Sequence, residues 1–430
     1  MTKLTPARKI TGRLTLPGDK SISHRAALIA ALASSNSEIS NFSSAADCAS
    51  TVACLQQLGA RVESSEGKLR FAGNQQLTAP GAFLDCGNSG STMRILAGVL
   101  AGHDFNADLI GDESLSARPM RRIIEPLELM GATIDSTDGK PPLKIRGSSK
   151  LVPIAYQLPV ASAQVKSAIL FAGLFAHGRT TVIEKLPSRD HTERLFNGFG
   201  VPVITNSDLS ITVEGPARFT GGPITIPGDI SSAAYFIAAA MLLPGSALTI
   251  ESVGLNPTRA KFLSVLRAWG AEISTSDLRD ERNEPAGTIR VTGGPQSVPN
   301  DGDRILSGPS IPSLIDELPL LAVVGTQIPG GIEIRDAEEL RLKESDRLQA
   351  TAQNLRAMGA EVDEFDDGIA VAGPTRLRGA RIDSFGDHRI AMAFSVAALI
   401  AGGETEIKGS DCVAISFPEF YKLLDSVAER

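Results

Sequence analysis

Six stretches of this sequence repeat one pattern, and that repetition restricts the fold more than any other feature. Each stretch is helix-like and rich in small apolar residues, and most end near a glycine. They are SISHRAALIAALA from Ser21, GSTMRILAGVLAG from Gly90, SAQVKSAILFAGLFAHG from Ser162, SSAAYFIAAAMLLPG from Ser231, DELPLLAVVG from Asp316 and DHRIAMAFSVAALIAGG from Asp387. Their starts lie 69, 72, 69, 85 and 71 residues apart. A helix apolar on nearly every side has to be buried. A second element recurs in the same rhythm: an amphipathic helix ending in Gly, then a strand, a turn and another strand. Its copies include CLQQLGARVESSEGKLRFAG, PLELMGATIDSTDGKPPLKIRG, LFNGFGVPVITNSDLSITVEG, VLRAWGAEISTS…GTIRVTG and NLRAMGAEVDEFDDGIAVAG. Gly at the helix end fits a left-handed cap, and alternating residues fit strands.

Only five copies of the second element are complete. The sixth is split between a C-terminal helix, FPEFYKLLDSVAER, and an N-terminal strand region, ARKITGRLTL, so both chain ends are expected in one domain. The sequences LTLPGDKS at 14–21 and ITIPGDIS at 224–231 share one context, a strand followed by a buried helix, with half of the repeats between them. They are expected to be two crossovers, giving one domain over 17–227 and another over 1–16 plus 228–430, with three repeats in each. Closed domains are expected rather than an open array, which would need two polar caps.

The 430 residues suit two or three domains, and 42% apolar content supplies ample core. A net charge of −7 argues against nucleic acid or an anionic membrane as partner. Cys48, Cys54, Cys86 and Cys412 form no CxxC pair and no His pair has ligand spacing, so buried reduced thiols are expected, with no metal and no cofactor. The first residues, MTKLTPARKITGRL, contain no apolar signal core, and the longest apolar run, about Ala233 to Leu243, is too short to span a bilayer. A cytoplasmic monomer is expected.

Polar residues suited to chemistry cluster at the starts of the buried helices. They include Lys20, Ser21 and Arg25; Asn88 and Gly90; Ser162 and Gln164; Asp316; and Asp387, His388 and Arg389. Helix N-termini present free N–H groups and bind anions, although Ser and Asp there also serve as ordinary caps. Caps do not need Lys or Arg, and a cation at that end opposes the helix dipole, which points to an anionic ligand. PGDKSISHR resembles a phosphate loop, but Walker A needs Gly directly before Lys, and no GxGxxG follows a strand. GDESLSARPMRR, at 111–122, groups Arg118, Arg121 and Arg122. They suit either a solvated charged face or, for Arg118 before Pro119, a positioned clamp. RLKESDRL, at 341–348, would place Lys343 and Arg347 on one face if helical, as a ligand site or as a surface ion-pair helix. Several cations, a few carboxylates and no evident nucleophile suit small anionic substrates and acid–base chemistry.

PGDKSISHR, GNSGSTMR, ARPM, ASAQVKSA, PSRDHTE, IDELP, LRLKESDRL, GDHRIAM and SFPEF occur in this order over nearly the whole chain. Together they resemble the motifs of the EPSP synthase family. The resemblance implies an α/β fold of two domains, each an inside-out α/β barrel of three βαβαββ units, with the active site between them. It implies transfer of the enolpyruvyl group of phosphoenolpyruvate to the 5-hydroxyl of shikimate 3-phosphate. By motif, Lys20, Ser21, Arg25, Ser162, Ala163, Gln164, Ser188 and Arg189 would hold shikimate 3-phosphate, with Asp316 and Lys343 also at that substrate. Asn88, Gly90, Arg118, Lys343, Arg347 and Arg389 would hold phosphoenolpyruvate, and Lys20 and Gln164 would reach both ligands. Asp316 resembles the base that takes the 5-hydroxyl proton, Glu344 the acid that protonates the methylene carbon, and Lys20 joins them as a catalytic residue.

The sequence departs from some members at three positions: Ile415 stands where a Lys occurs, Ala163 replaces a second Ser, and His191 stands near a Tyr position. The DHTE form resembles a branch that includes glyphosate-tolerant enzymes, whereas Gly90 resembles sensitive members. Two other readings are open. A UDP-N-acetylglucosamine enolpyruvyl transferase would share fold and donor but carries a reactive Cys in a Gly-rich loop, which is absent here. A non-catalytic anion-binding repeat protein would need the cations but not Asp316 and Glu344.

Overall fold

The structure is a computed structural model that describes residues 1–65, 67–74, 76–294 and 301–430. The chain forms two compact units. A terminal unit comprises Met1–Pro17, Gly228–Arg279 and Pro285–Arg430; a central unit comprises Gly18–Pro227 with Asp280–Glu284. Each has its own apolar cluster, running from Leu4 to Val427 in the terminal unit and from Ile22 to Ile226 in the central unit.

The repeating unit is clearest in the middle of the central unit. Strand Leu84–Asp85 leads into helix Gly90–Ala101, which returns the chain to a parallel neighbour, Asn106–Ile110. Helix Arg121–Leu129 and the antiparallel strands Thr133–Thr137 and Lys140–Arg146 follow, with Lys140–Arg146 lying beside Asn106–Ile110. This is a βαβαββ unit: a parallel pair needs a crossover, and an antiparallel pair needs only a turn. The six apolar stretches are helices Lys20–Leu32, Gly90–Ala101 and Ala163–Gly173 in the central unit, and Ile230–Leu242, Leu318–Gly325 and His388–Ile400 in the terminal unit. All thirteen residues of Ile230–Leu242 are buried, including its polar Ser231 and Ser232. With such helices at the centre and sheets outside, the architecture is an inside-out α/β fold. Among the described residues, no helix is long and apolar enough to cross a membrane.

Glycine ends the amphipathic helices for a conformational reason. Gly59, Gly131, Gly200, Gly270 and Gly359 follow five of them, all with φ between +86° and +106°. In that left-handed region a side chain would be strained.

At the crossovers the strands change places. Lys9–Thr15 precedes helix Lys20–Leu32 but pairs in parallel with Ala247–Gly254 of the terminal unit. Pro223–Thr225 precedes helix Ile230–Leu242 but pairs in parallel with Ser37–Ser40 of the central unit. Two backbone bonds fix the passages: Asp19 N–H donates to the Pro227 carbonyl at 2.8 Å, and Asp229 N–H donates to the Pro17 carbonyl at 3.1 Å. Gly18 is required by close approach, because a Cβ there would lie 1.9 Å from the Asn41 carbonyl oxygen.

This exchange corrects the expected split of the last repeat. The N-terminal strand in the last sheet is Thr2–Leu4, antiparallel to Thr405–Lys408. Lys9–Thr15, within ARKITGRLTL, instead supplies the leading strand that helix Ile230–Leu242 lacks, and it also pairs with Ala428–Glu429.

Candidate active site

In the central unit, candidate residues gather at the starts of three buried helices. Asp19 caps helix Lys20–Leu32, its carboxylate accepting from Ile22 N–H at 2.9 Å. Lys20 is therefore the first helical residue, where its charge opposes the dipole. Asp47 offsets that cost, with its carboxylate 2.9 Å from Lys20 Nζ. Arg25 is buried, and its guanidinium donates to Thr192 Oγ1, Ser167 Oγ and the Ser21 carbonyl at 2.7, 2.8 and 2.9 Å. Burial lowers its pKa to about 10, against the pull of Glu193.

Ser89 caps the second helix, and Gly90 is its first residue. A Cβ on Gly90 would lie 2.6 Å from Arg94 Nη1 and 3.4 Å from Arg118 Nη1, so two guanidinium groups crowd this helix start. Arg118 is extended before Pro119, as expected, and donates to Asn88 Oδ1 at 2.7 Å. Asn88 in turn donates to Asp112 at 2.7 Å. Gln164 accepts from Arg94 at 2.7 Å and donates to Ser91 at 2.9 Å, which joins the third helix start to the second. Ser162 caps that third helix through Val165 N–H, and Ala163 is its first residue.

Behind Ser188 and Arg189 lies a buried charge cluster. Lys166 Nζ is 3.0 Å from Glu184 and 2.6 Å from Glu193. Burial raises the pKa of Glu193 although Lys166 pulls it down. Ser188 donates its hydroxyl proton to Glu184 at 2.5 Å, so toward a ligand its oxygen offers lone pairs.

In the terminal unit the candidates converge on Asp316, which lies in the turn between short helix Ile311–Leu314 and helix Leu318–Gly325. Its carboxylate is 3.4 Å from Arg259, 3.6 Å from Arg347 and 3.4 Å from Arg389. Arg347 also binds Asp387 at 2.7 Å and Glu344 at 2.6 Å. The nearby carboxylates, Asp387 foremost, raise the pKa of Arg347 despite burial. Arg389 rises for the same reason, with Asp316 the leading carboxylate. Burial lowers the pKa of Lys343, and Asp316 opposes that shift. Asp387 caps the last buried helix through Arg389 N–H at 2.8 Å.

The helical condition on RLKESDRL is not met. Residues 341–348 are not one helix: Glu338–Leu342 is a 3-10 turn, Lys343 is extended, and a helix begins only at Arg347. Asp346 causes the break by capping the new helix through Gln349 N–H at 3.0 Å while pairing with Arg341 at 2.6 Å. Lys343 and Arg347 therefore reach the Asp316 neighbourhood from different elements.

Residues that the sequence did not single out also belong to these clusters, among them Asp47, Arg94, Lys166, Arg259 and Glu317. Arg94 was discoverable, four residues after Gly90 on the same helical face. Arg259 sits in a loop ordered by Asn256, and no sequence signal marks it.

A sequence model of the family described as EPSP synthase (3-phosphoshikimate 1-carboxyvinyltransferase) matches residues 4–424. A 3-phosphoshikimate 1-carboxyvinyltransferase from Koribacter versatilis is 51% identical, covering 100% of this chain and 99% of that relative. One from Solibacter usitatus is 48% identical, covering 99% of both. Among solved structures, an EPSP synthase from Acinetobacter baumannii superposes with a TM-score of 0.87 at 38% identity, covering 99% of this chain and 98% of that one.

Proposed function

The chain belongs to the EPSP synthase family, and from that premise we infer that it transfers the enolpyruvyl group of phosphoenolpyruvate to the 5-hydroxyl of shikimate 3-phosphate, releasing phosphate. The observation that carries the reading is the convergence of Arg347 and Arg389 on the carboxylate of Asp316, with Glu344 on the same Arg347. Cations that can bind a carboxylate and a phosphate stand beside groups that can move protons.

Asp316 takes the proton from the attacking 5-hydroxyl, and the hydroxyl oxygen bonds to C2 of phosphoenolpyruvate. Glu344 delivers a proton to the methylene carbon, with Lys20 assisting, which gives a tetrahedral adduct. Loss of a proton from that methyl group and departure of phosphate restore the double bond. Lys343, Arg347, Arg389, Asn88, Gly90 and Arg118 hold the donor and neutralise its charge. Ser21, Arg25, Ser162, Ala163, Ser188 and Arg189 hold the acceptor, while Lys20 and Gln164 serve both. In this reading Ser188 accepts a hydrogen bond or uses its backbone N–H, because its hydroxyl proton is committed to Glu184. The protein acts as a cytoplasmic monomer, with 17–227 and 1–16 plus 228–430 as its two domains.

The thiols disfavour a UDP-N-acetylglucosamine acceptor served by a reactive cysteine. Cys48, Cys54 and Cys86 are buried, and burial pushes Cys412 up to about 11. A reactive thiol needs the opposite shift. The test mixes the protein with phosphoenolpyruvate and shikimate 3-phosphate and measures released phosphate. Release with that acceptor and none with UDP-N-acetylglucosamine is expected; the reverse overturns the reading.

A further inference from the structure

Arg259 has no role in the scheme above, yet it is 2% exposed and lies among the groups that the scheme uses. Its Nη1 donates to Asp316 Oδ2 at 3.4 Å. Its Nη2 contacts Ser231 Oγ and lies 3.9 Å from Glu317 Oε1. Ser231, inside the first turn of a fully buried helix, donates to the same Glu317 oxygen. Glu317 is itself 2% exposed. Two buried partners on two different helix starts therefore anchor the guanidinium, and its remaining edge faces Asp316.

The other two arginines at Asp316 are held differently. Arg347 divides its guanidinium among Asp316, Glu344 and Asp387. Arg389 Nη1 has no hydrogen-bond partner among the described residues and is 3.6 Å from Glu317. Arg259, Arg347, Arg389 and Lys343 face Asp316, Glu317, Glu344 and Asp387, with Glu339 also acting on Lys343 and Asp229 on Arg389. An arriving anion thus finds no surplus positive charge, and some of these pairs must change partner.

We propose that Arg259 is a positioning residue that keeps the Asp316 carboxylate aligned and ionised while Arg347 and Arg389 turn from it to the anionic donor. This rests on Asp316 being the base, the reading given above. Turning Arg347 also removes its contact with Glu344, so donor binding changes the surroundings of both proton-transfer groups while Arg259 stays on Asp316. A carboxylate that lost neighbouring cations in a largely enclosed site would take up a proton more readily and serve less well as a base.

The test compares Arg259→Gln, Arg259→Lys and Ser231→Ala with the wild type and with Asp316→Asn. Donor and acceptor affinities, measured by equilibrium binding, should stay within about threefold in Arg259→Gln. Its kcat should fall about 10²-fold, the scale of a misplaced catalytic group. Removing a cation from beside a carboxylate raises the carboxylate's pKa, so the acid limb of kcat/KM should move up by about one pH unit. Arg259→Lys should restore the limb more than kcat, since it keeps the charge and loses the fork. Ser231→Ala leaves the charge in place and should lower kcat with little movement of the limb. An unchanged kcat and limb in folded Arg259→Gln would overturn the proposal, as would a loss explained wholly by weaker donor binding. If Asp316→Asn itself turns over normally, the assignment of the base fails instead.

Discussion

At Gly90 the effect of a single added methyl group can be argued from distances. The Cβ of Gly90→Ala would meet the far end of Arg94 at 2.6 Å and reach the normal contact limit of Arg118 at 3.4 Å. Arg94 is flexible and can give way, at the cost of its bond to Gln164. Glyphosate, an anionic and longer occupant of the donor site, should inhibit competitively with phosphoenolpyruvate. Gly90→Ala should raise its inhibition constant more than it raises the KM for the donor. Steady-state kinetics on both proteins checks this, and a wild type indifferent to millimolar glyphosate would remove Gly90 as the determinant. Asp316→Asn should bind both substrates and lose about 10²–10⁴-fold in turnover, the usual share of acid–base catalysis. Lys20→Met should behave differently, weakening substrate affinity as well as turnover and leaving Asp47 without the lysine that lies 2.9 Å away. Unchanged affinity for both substrates would contradict that role for Lys20. Residues marked by a motif could be found in the sequence because a helix start advertises itself: a cap, a small residue and a cation in one turn. Arg259 and Lys166 could not, because each works through a distant partner, Asp316 or Glu184, and the sequence carries no sign of long-range pairing.

At the level of elements, the periodic pattern was read correctly where period and capping agree, as in the six buried helices and the five positive-φ glycines. It left 341–348 open, where an (i, i+4) spacing of cations would share a face only in a helix that Asp346 interrupts by capping another one. It also misassigned Lys9–Thr15, because a strand's sequence shows that it pairs but not which neighbour it pairs with. The two crossover glycines look alike in sequence and differ in packing. At Gly228 a Cβ would find Leu16 Cβ and the Ser252 carbonyl oxygen, both at 3.4 Å, whereas at Gly18 it would overlap the Asn41 carbonyl. Gly228→Ala should change stability by no more than about 0.5 kcal/mol. Gly18→Ala should cost about 3 kcal/mol, the upper end of the overpacking range, because backbone has to move. Denaturant melts of the two variants test the contrast, and equal stabilities would refute it.

The whole molecule is legible as a repeat count but not as a chain path. All residues of the central apolar cluster fall between Ile22 and Ile226, so the fragment 17–227 should fold without the rest of the chain. It would lack the bond between His191 and Glu284, 2.7 Å and buried, and Arg282 stacked over Phe199 at 4.7 Å. Its cooperative melt should therefore be weaker by about 1–3 kcal/mol for the lost buried bond. A fragment that shows no cooperative transition would mean that 280–284 is indispensable to the unit. The exchanged strands also set a timetable for biosynthesis. Lys9–Thr15 is synthesised well before its partner Ala247–Gly254, which is made some 240 residues later. At about 5–20 residues per second the strand waits roughly 12–48 s without its sheet while the central unit is synthesised. Such an unpaired edge invites association with other nascent chains, and Lys9 and Arg13 within it supply the charge that discourages this. This early strand thus waits for its sheet, and its two cations protect it in the interval.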